Sequence, residues 1–230
     1  MILEVILIIL LAIIAYSAIV TRRSRLASAL ISTSSSNAIS HDDQLDSLLE
    51  IAGRYYQERN YLAAEKAYLK VLKIDHKNSL AYSRLGFIYS NLGNTEDAIE
   101  CFQIVAQMYP NAASYHNLAM MYFKNRDYTA SAEALEKSVH IEPNVNRFIT
   151  LARIYRILHK FHKQIDCLNE ALKLEPKNVD ILQLQAEAYM HEKDEAAAKK
   201  VFRTILKIDP DNQRARAALK PPKQVRKVRQ

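Results

Sequence analysis

Apolar and small residues recur through residues 45–212 with a period of 33 or 34 residues, and within each period they follow helical spacing. The most regular position is a tyrosine, present in all five periods. A small residue stands three residues before each tyrosine, and in four periods a branched apolar residue stands four before it. These spacings place all three on one face of a predicted helix. These five residues, which we call the ladder tyrosines, are Tyr55, Tyr89, Tyr122, Tyr155 and Tyr189.

A second helix is predicted in every period. Nine residues after the tyrosine comes another small position, followed four residues later by a large apolar one, as with Ala98 and Phe102. The pattern ends at an apolar residue such as Ile141, and Pro143 then stops the helix because proline has no N–H. Small residues facing large ones let two helices approach within about 8–10 Å. Each period is therefore a helical hairpin that must stack on its neighbours to bury its apolar face.

These recurring positions resemble the tetratricopeptide repeat. The resemblance implies an all-α fold, a right-handed α-solenoid of five helix-turn-helix units. The residues at the two ends of the repeats further predict one transmembrane helix before them and a short C-terminal capping helix at residues 213–219. Three departures predict locally looser packing: His76 replaces a proline, Gln164 a small residue and Gln185 a branched apolar one. The five units are residues 45–78, 79–111, 112–144, 145–178 and 179–212.

Residues 1–21 are predicted to form a transmembrane anchor. The run from residue 2 to 20 is apolar apart from Glu4 and is long enough for a hydrocarbon core of about 30 Å. A secretory signal peptide would carry its basic residues before the apolar run, whereas here they follow it, which favours an uncleaved anchor. Residues 22–44 are predicted to be a basic juxtamembrane segment and a Ser-rich linker.

The basic residues after the span also predict its orientation. Arg22, Arg23 and Arg25 follow the apolar run, and only the N-terminal amine precedes it. By the positive-inside rule, the repeats then face the cytoplasm. We expect a single-pass membrane protein of a bacterial inner membrane with cytoplasmic repeats; an outward-facing repeat domain is the alternative.

The net charge of +7 resides at the C-terminus. Residues 213–230 carry seven basic residues and no acidic one, so the remainder of the chain is neutral. The high isoelectric point thus reflects a basic tail, predicted to be disordered over residues 220–230, and not a basic domain. The tail either binds anionic lipid or an acidic partner, at about 1 kcal/mol per basic residue near such a surface, or only aids solubility. Its candidate residues are Lys220, Lys223, Arg226, Lys227 and Arg229.

The chain lacks the common catalytic and metal-binding motifs. It has three glycines and no phosphate-binding loop, nucleophile elbow or zincin helix. Cys101 and Cys167 have a whole repeat between them and are therefore too far apart for a disulfide, and His159 and His162 lack a complete set of metal ligands. Glu187 has no obvious partner. We expect no catalytic residue, no enzyme activity, no cofactor, no metal site and no small-molecule substrate.

The resemblance also implies where a partner binds. In this repeat family the first helices line a concave groove that receives a peptide or a helix. Aromatic and sulfur-containing side chains in it are typical of binding hot spots, and two arginines could pair with a carboxylate, which predicts an apolar ligand with an acidic group. Alternatively, Phe87, Met120 and Ile149 pack within the solenoid. The predicted groove residues are Leu49, Tyr56, Phe87, Asn91, His116, Met120, Phe123, Ile149, Arg153 and Arg156.

Two functional interpretations follow. The first is a membrane-anchored scaffold or adaptor that binds a protein partner in its groove and recruits it to the membrane. The second is a nucleic-acid-associated or ribosome-associated membrane factor that acts through its basic tail. The layout partly resembles the bacterial lipopolysaccharide assembly protein B family, but the chain ends in KPPKQVRKVRQ and lacks the cysteine pairs of that family's metal-binding domain.

Overall fold

The structure, a computed structural model, describes residues 42–220, and within that range it contains helices and no strand. The predicted anchor and most of the predicted tail lie outside the described residues. Among those described, no helix is long and apolar enough to cross a membrane. The helices are α1 (residues 42–57), α2 (Tyr61–Ile74), α3 (Ser79–Leu92), α4 (Thr95–Met108), α5 (Ala112–Lys124), α6 (Tyr128–Ile141), α7 (Val145–Ile157), α8 (Phe161–Leu174), α9 (Val179–His191), α10 (Glu195–Ile208) and α11 (Gln213–Leu219).

The chain divides into two compact units at Asn78 and Ser79. The first contains α1 and α2. Its small residues Ala52 and Ala64 are fully buried, as expected for positions that let two helices approach closely. The ring of Tyr56 at the end of α1 meets the edge of Tyr61 at the start of α2, with centroids 6.1 Å apart.

The second unit contains α3 to α11, and each of its helices packs against the next one in the chain. One apolar cluster runs from Ala98 on α4 to Ala188 on α9, and a second joins α9, α10 and α11 around Phe202. The capping helix takes part through Ala215, which is fully buried. This stack of helical hairpins confirms the predicted all-helical repeat fold.

The small residues of the repeat allow the two helices of a hairpin to approach closely. At Gly86 on α3, an added Cβ would lie 2.7 Å from the ring of Phe102 on α4, so only glycine fits against that ring. At the same position in the next unit, Ala119 is fully buried and its carbonyl accepts a hydrogen bond of 2.7 Å from Ser131. The hydroxyl of Ser131 is thus satisfied inside the core.

The two glutamines that depart from the repeat pattern behave differently. Gln185 is buried, and its amide donates to the side chain of Asn169 on α8 at 2.6 Å. Gln164 is 1% exposed, and its Oε1 has no hydrogen-bond partner. An unpaired buried oxygen carries a desolvation cost. The departure from the pattern is therefore destabilising at Gln164, whose buried oxygen is unpaired, whereas the amide of Gln185 has a hydrogen-bond partner.

Asparagine residues start four helices of the second unit, α5, α7, α9 and α11. The side chain of Asn111 accepts a hydrogen bond from the backbone N–H of Ser114, and Asn144, Asn178 and Asn212 do the same for α7, α9 and α11. Asparagine is among the best residues for this capping role, which contributes about 1 kcal/mol per helix.

The turn between the two helices of each hairpin has a left-handed residue at a fixed position. The N–H of the residue that follows it donates to the carbonyl of the ladder tyrosine, for example Lys160 to Tyr155 at 2.8 Å. This is the six-to-one hydrogen bond of a Schellman motif, which favours glycine at the left-handed position. Glycine nevertheless occupies it only once among the described turns. The five residues, with φ between 55° and 89°, are Arg59, Gly93, Arg126, His159 and Lys193.

Replacing a left-handed residue by glycine is expected to stabilise the fold. Arg126 has φ 62°, and glycine removes the clash of its Cβ with the backbone, so Arg126→Gly should raise the free energy of unfolding by about 0.5–1 kcal/mol. Arg126→Ala is the matched control, since it loses the same side chain and keeps the Cβ. Urea denaturation followed by circular dichroism measures the difference. Equal stability of the two variants would contradict this account of the turn.

Candidate functional site

The predicted groove residues all lie on first helices of the hairpins. Leu49 and Tyr56 are on α1 and belong to the first compact unit. The other eight belong to the second unit, on α3, α5 and α7. A single groove through all ten stays a prediction, and the eight on α3, α5 and α7 are the candidate site described below.

The apolar residues of the candidate site are partly buried. Phe87, Met120, Phe123 and Ile149 all pack against the main apolar cluster. The ring of Phe87 meets that of Phe102 edge-on, with centroids 5.0 Å apart. These contacts agree with the alternative that such residues pack within the solenoid, but each side chain also keeps a part of its surface in contact with solvent. They are apolar surface held in place by the core.

Polar contacts tie together the last turns of α3 and α5. Asn91 is exposed, and its amide donates to the carbonyl of Phe87 on its own helix at 2.8 Å. The ammonium group of Lys124 donates to the backbone carbonyl and, at 2.9 Å, to the hydroxyl of Ser90 on α3. A cation at a helix C-terminus is favoured by the helix dipole. Sequence analysis missed Lys124, which holds the same repeat position as Asn91.

His116 on α5 is a partly buried histidine. Its Nδ1 is buried and has no hydrogen-bond partner. Burial lowers the pKa of His116 below its ordinary value, and the nearby cation of Arg147 on α7 lowers it further. The guanidinium of Arg147 is itself paired with Glu142 at 2.9 Å. His116 is therefore neutral at pH 7.

Charged residues continue the candidate site onto α9 and α11. Nη1 of Arg156 on α7 lies 4.0 Å from Oε2 of Glu187 on α9, and the other oxygen of Glu187 forms a closer ion pair with Arg214 on α11. The expectation that Glu187 has no partner was wrong, because its two partners are 31 and 27 residues away along the chain. Arg153, one turn before Arg156, is exposed and forms no ion pair within residues 42–220.

The ladder tyrosines carry polar contacts as well as packing. The hydroxyl of Tyr122 on α5 accepts a hydrogen bond of 2.7 Å from Gln103 on α4. One unit later, the hydroxyl of Tyr155 donates to Glu136 on α6, whose carboxylate also lies 3.4 Å from the ammonium of Lys163. Burial raises the pKa of Tyr155, and the contact with Glu136 raises it further. The polar partner stands 19 residues before the tyrosine in both cases, so these two bonds join the second hairpin to the third and the third to the fourth.

The cysteine, histidine and acidic side chains between residues 42 and 220 are the candidates for reactive or metal-binding groups. Cys101 and Cys167 are free and buried, and burial together with neighbouring carboxylates raises the pKa of each thiol to about 12. Such thiols stay protonated and poorly nucleophilic. Between residues 42 and 220, no cluster of three or more His, Cys, Asp or Glu could hold a metal ion. The ring of His159 instead meets Phe161 edge-on.

Known protein families and structures show similarities to this chain. Four models of the tetratricopeptide repeat match it, at residues 67–100, 84–145, 147–178 and 165–220. Among curated protein sequences, none matches significantly. The likeness of layout to the lipopolysaccharide assembly protein B family stays a prediction.

Among solved structures, the crystal structure of MamA protein has a TM-score of 0.63 and 22% identity, covering 77% of this chain and 98% of MamA. MamA 41-end from Desulfovibrio magneticus RS-1 has a TM-score of 0.60 and 17% identity, and the match covers 74% of this chain and 98% of the MamA chain. YrrB, described as a TPR protein with an unusual peptide-binding site, has a TM-score of 0.61 and 15% identity, covering 74% of this chain and 89% of its own. At these identities the similarity concerns the fold.

The pKa of His116 predicts a pH dependence of stability. Above pH 6.5 its side chain is neutral in the folded and the unfolded chain. As the pH falls below 6.5, the unfolded chain takes up the proton first, because the folded pKa is lower, and unfolding becomes easier until the folded pKa is passed. We expect His116→Asn to lose less stability than the wild type between about pH 7.5 and pH 5.

Urea denaturation at several pH values measures this difference. His162→Asn, the same substitution at an exposed histidine of α8, is the variant for comparison. If the free energy of unfolding of His116→Asn changed with pH as it does in the wild type, His116 would not contribute to the pH dependence of stability.

Proposed function

Since the chain belongs to the tetratricopeptide-repeat family, we propose that it is a scaffold that binds a protein partner, as a peptide or a helix, on its first helices. The observation that carries this proposal is the row of partly exposed apolar side chains Phe87, Met120 and Phe123, which the core holds in place on the first helices that precede α7 and its arginines in the repeat. The fold is similar to that of YrrB, a repeat protein with a peptide-binding site, which supports the assignment.

The composition of the site defines the ligand chemistry. Side chains that are already fixed by packing lose little conformational freedom on binding, so the remaining exposed apolar surface gains from burial at about 25 cal/mol per Å². Arg153 and Arg156 present guanidinium groups that can bind a carboxylate through two hydrogen bonds. The ligand is therefore an apolar segment that carries an acidic group.

The scaffold acts at a membrane in this proposal. Residues 2–20 anchor it in the bilayer with its repeats in the cytoplasm, and the support is the apolar run followed by three arginines. An anchored scaffold holds its partner at a high local concentration near the membrane, so that even weak contacts keep it there. Recruitment of the partner to the membrane follows from the combination of anchor and repeats.

A second candidate function uses the basic tail. Seven basic residues without an acid are the observation in favour of binding to nucleic acid or a ribosome. Two of the seven, Arg214 and Arg216, form ion pairs with Glu187 and Asp211 and are thus engaged within the fold. The tail's Lys220, Lys223, Arg226, Lys227 and Arg229 would have to supply this binding, which would then weaken steeply with salt.

Substitutions in the candidate site test the scaffold. We expect Met120→Ser or Phe123→Ser to reduce capture of the partner about tenfold in quantitative proximity labelling, the loss typical of a hot-spot residue. Val139→Ser is the matched control, because Val139 also packs against the core but lies on a second helix, α6. Unchanged capture by a folded Phe123→Ser variant, or an equal loss in Val139→Ser, would contradict the proposal.

Deletion of residues 220–230 separates the two candidate functions. The scaffold predicts that capture of the partner survives the deletion. Loss of all association, with Phe123→Ser behaving as the wild type, would instead assign binding to the tail.

Protease accessibility tests the orientation. In spheroplasts of a bacterium that makes the full chain, added protease should leave the repeats intact until the membrane is lysed, because the arginines after the anchor hold them in the cytoplasm. Degradation in intact spheroplasts would place the repeats outside and exclude cytoplasmic partners.

A further inference from the structure

The structure assigns a specific role to Glu187: we propose that it is an internal competitor for the acidic group of the ligand, and that this group binds Arg156 when Glu187 withdraws. The inference rests on the proposed function, because it concerns the charged end of the same peptide-binding surface. It adds a carboxylate-binding subsite formed by α7, α9 and α11.

The first observation is an imbalance of charge. Two arginines, Arg156 on α7 and Arg214 on α11, share the carboxylate of Glu187, and Arg153 on α7 forms no ion pair within the described residues. Arg153 and Arg156 stand three residues apart and therefore lie on one face of α7. One carboxylate cannot neutralise three guanidinium groups, so the cluster keeps an excess of positive charge that attracts another anion.

The second observation is the unequal sharing of Glu187. Its carboxylate lies close to Arg214, while the nearest nitrogen of Arg156 is 4.0 Å away, at the outer limit of an ion pair. The side chain of Arg156 is 47% exposed, against 22% for Glu187. The guanidinium of Arg156 therefore faces solvent with most of its hydrogen-bonding capacity unused, and a ligand carboxylate can approach it.

The third observation is what lies beside the cluster. On α5, the first helix of the hairpin that precedes α7, the corresponding repeat positions are apolar, and their residues Met120 and Phe123 are partly exposed. A ligand with an acidic group next to apolar side chains uses both parts, whereas a phosphate backbone would use only the charges. The occupant is therefore an acidic peptide segment of a protein partner.

Glu187 weakens this binding because it attracts Arg156 away from the ligand. Its pair with Arg214 counteracts the competition, because a carboxylate held at α11 is less available to α7. Loss of Glu187 and loss of Arg214 break the same ion pair and should nevertheless change ligand affinity in opposite directions. A purely structural role of that pair predicts the same direction for both.

The test measures fluorescence anisotropy of two labelled peptides with the full chain in detergent. One peptide has an apolar half of leucine and phenylalanine and a second half with three glutamates, and the other has glutamines instead. We expect the glutamate peptide to bind the wild type several-fold more tightly and this preference to vanish at 1 M salt, where charges are screened beyond about 3 Å.

Charge-neutral variants then address the competition. Glu187→Gln should tighten binding of the glutamate peptide about two- to fivefold, the range of an exposed ion pair, and Arg156→Gln and Arg214→Gln should each weaken it. The matched controls are Glu192→Gln at the end of α9 and Arg203→Gln on α10, which change the net charge equally and form no ion pair within the described residues. They should leave the affinity unchanged, and circular dichroism verifies that each variant is folded.

Four results would overturn the inference. Equal affinity for both peptides, with Phe123→Ser weakening both, would remove the carboxylate subsite and leave the peptide-binding scaffold in place. The same direction of change in Glu187→Gln and Arg214→Gln would show that the pair is only structural. No binding of either peptide would contradict both the subsite and the scaffold, and displacement of the glutamate peptide by an equal concentration of random oligonucleotide would assign the charges to nucleic acid.

Discussion

The turn inside each hairpin is the constraint on which the rest of the structure depends. Its left-handed residue lets the following N–H donate to the carbonyl of the ladder tyrosine, as Lys160 does to Tyr155, and the same bond recurs in every described hairpin. Because this bond fixes how the second helix leaves the first, the small residues of one helix meet the large residues of the other in each unit. The first helices α3, α5 and α7 then hold equivalent positions in the repeat. Phe87, Met120 and Arg153 therefore stand at corresponding places on successive units.

The sequence predicted the helices, their pairing and their stacking, because these depend on residue classes that recur with a fixed period. It did not predict the left-handed turn residues, because His159 and Lys193 occupy positions at which glycine would have indicated a left-handed conformation. Nor did it predict the bond between Tyr155 and Glu136, because the residue type at that partner position changes from Gln103 in one unit to Glu136 in the next. The ion pairs of Glu187 were missed because they join single residues of different units and leave no repeating pattern. The groove residues were selected by repeat position, and that method cannot separate buried from exposed parts of a side chain.

The candidate site combines two kinds of interaction with different physical roles. In the proposed function, the apolar residues are fixed by the core, so they offer a preorganised surface and supply affinity. The arginines are exposed and screened by salt, so under the same proposal they contribute less to affinity and more to the choice and orientation of the ligand. Glu187 links this charged end to α11 through Arg214, so the proposal connects the last helix of the described residues to ligand selection.

The central claim is that partners bind on the first helices of residues 79–220. Hydrogen exchange, measured by mass spectrometry on the full chain with and without the partner that it captures, tests this claim most directly. The account predicts that the partner slows exchange in α3, α5 and α7. Slower exchange confined to α4, α6 and α8, or to residues 221–230, would contradict it.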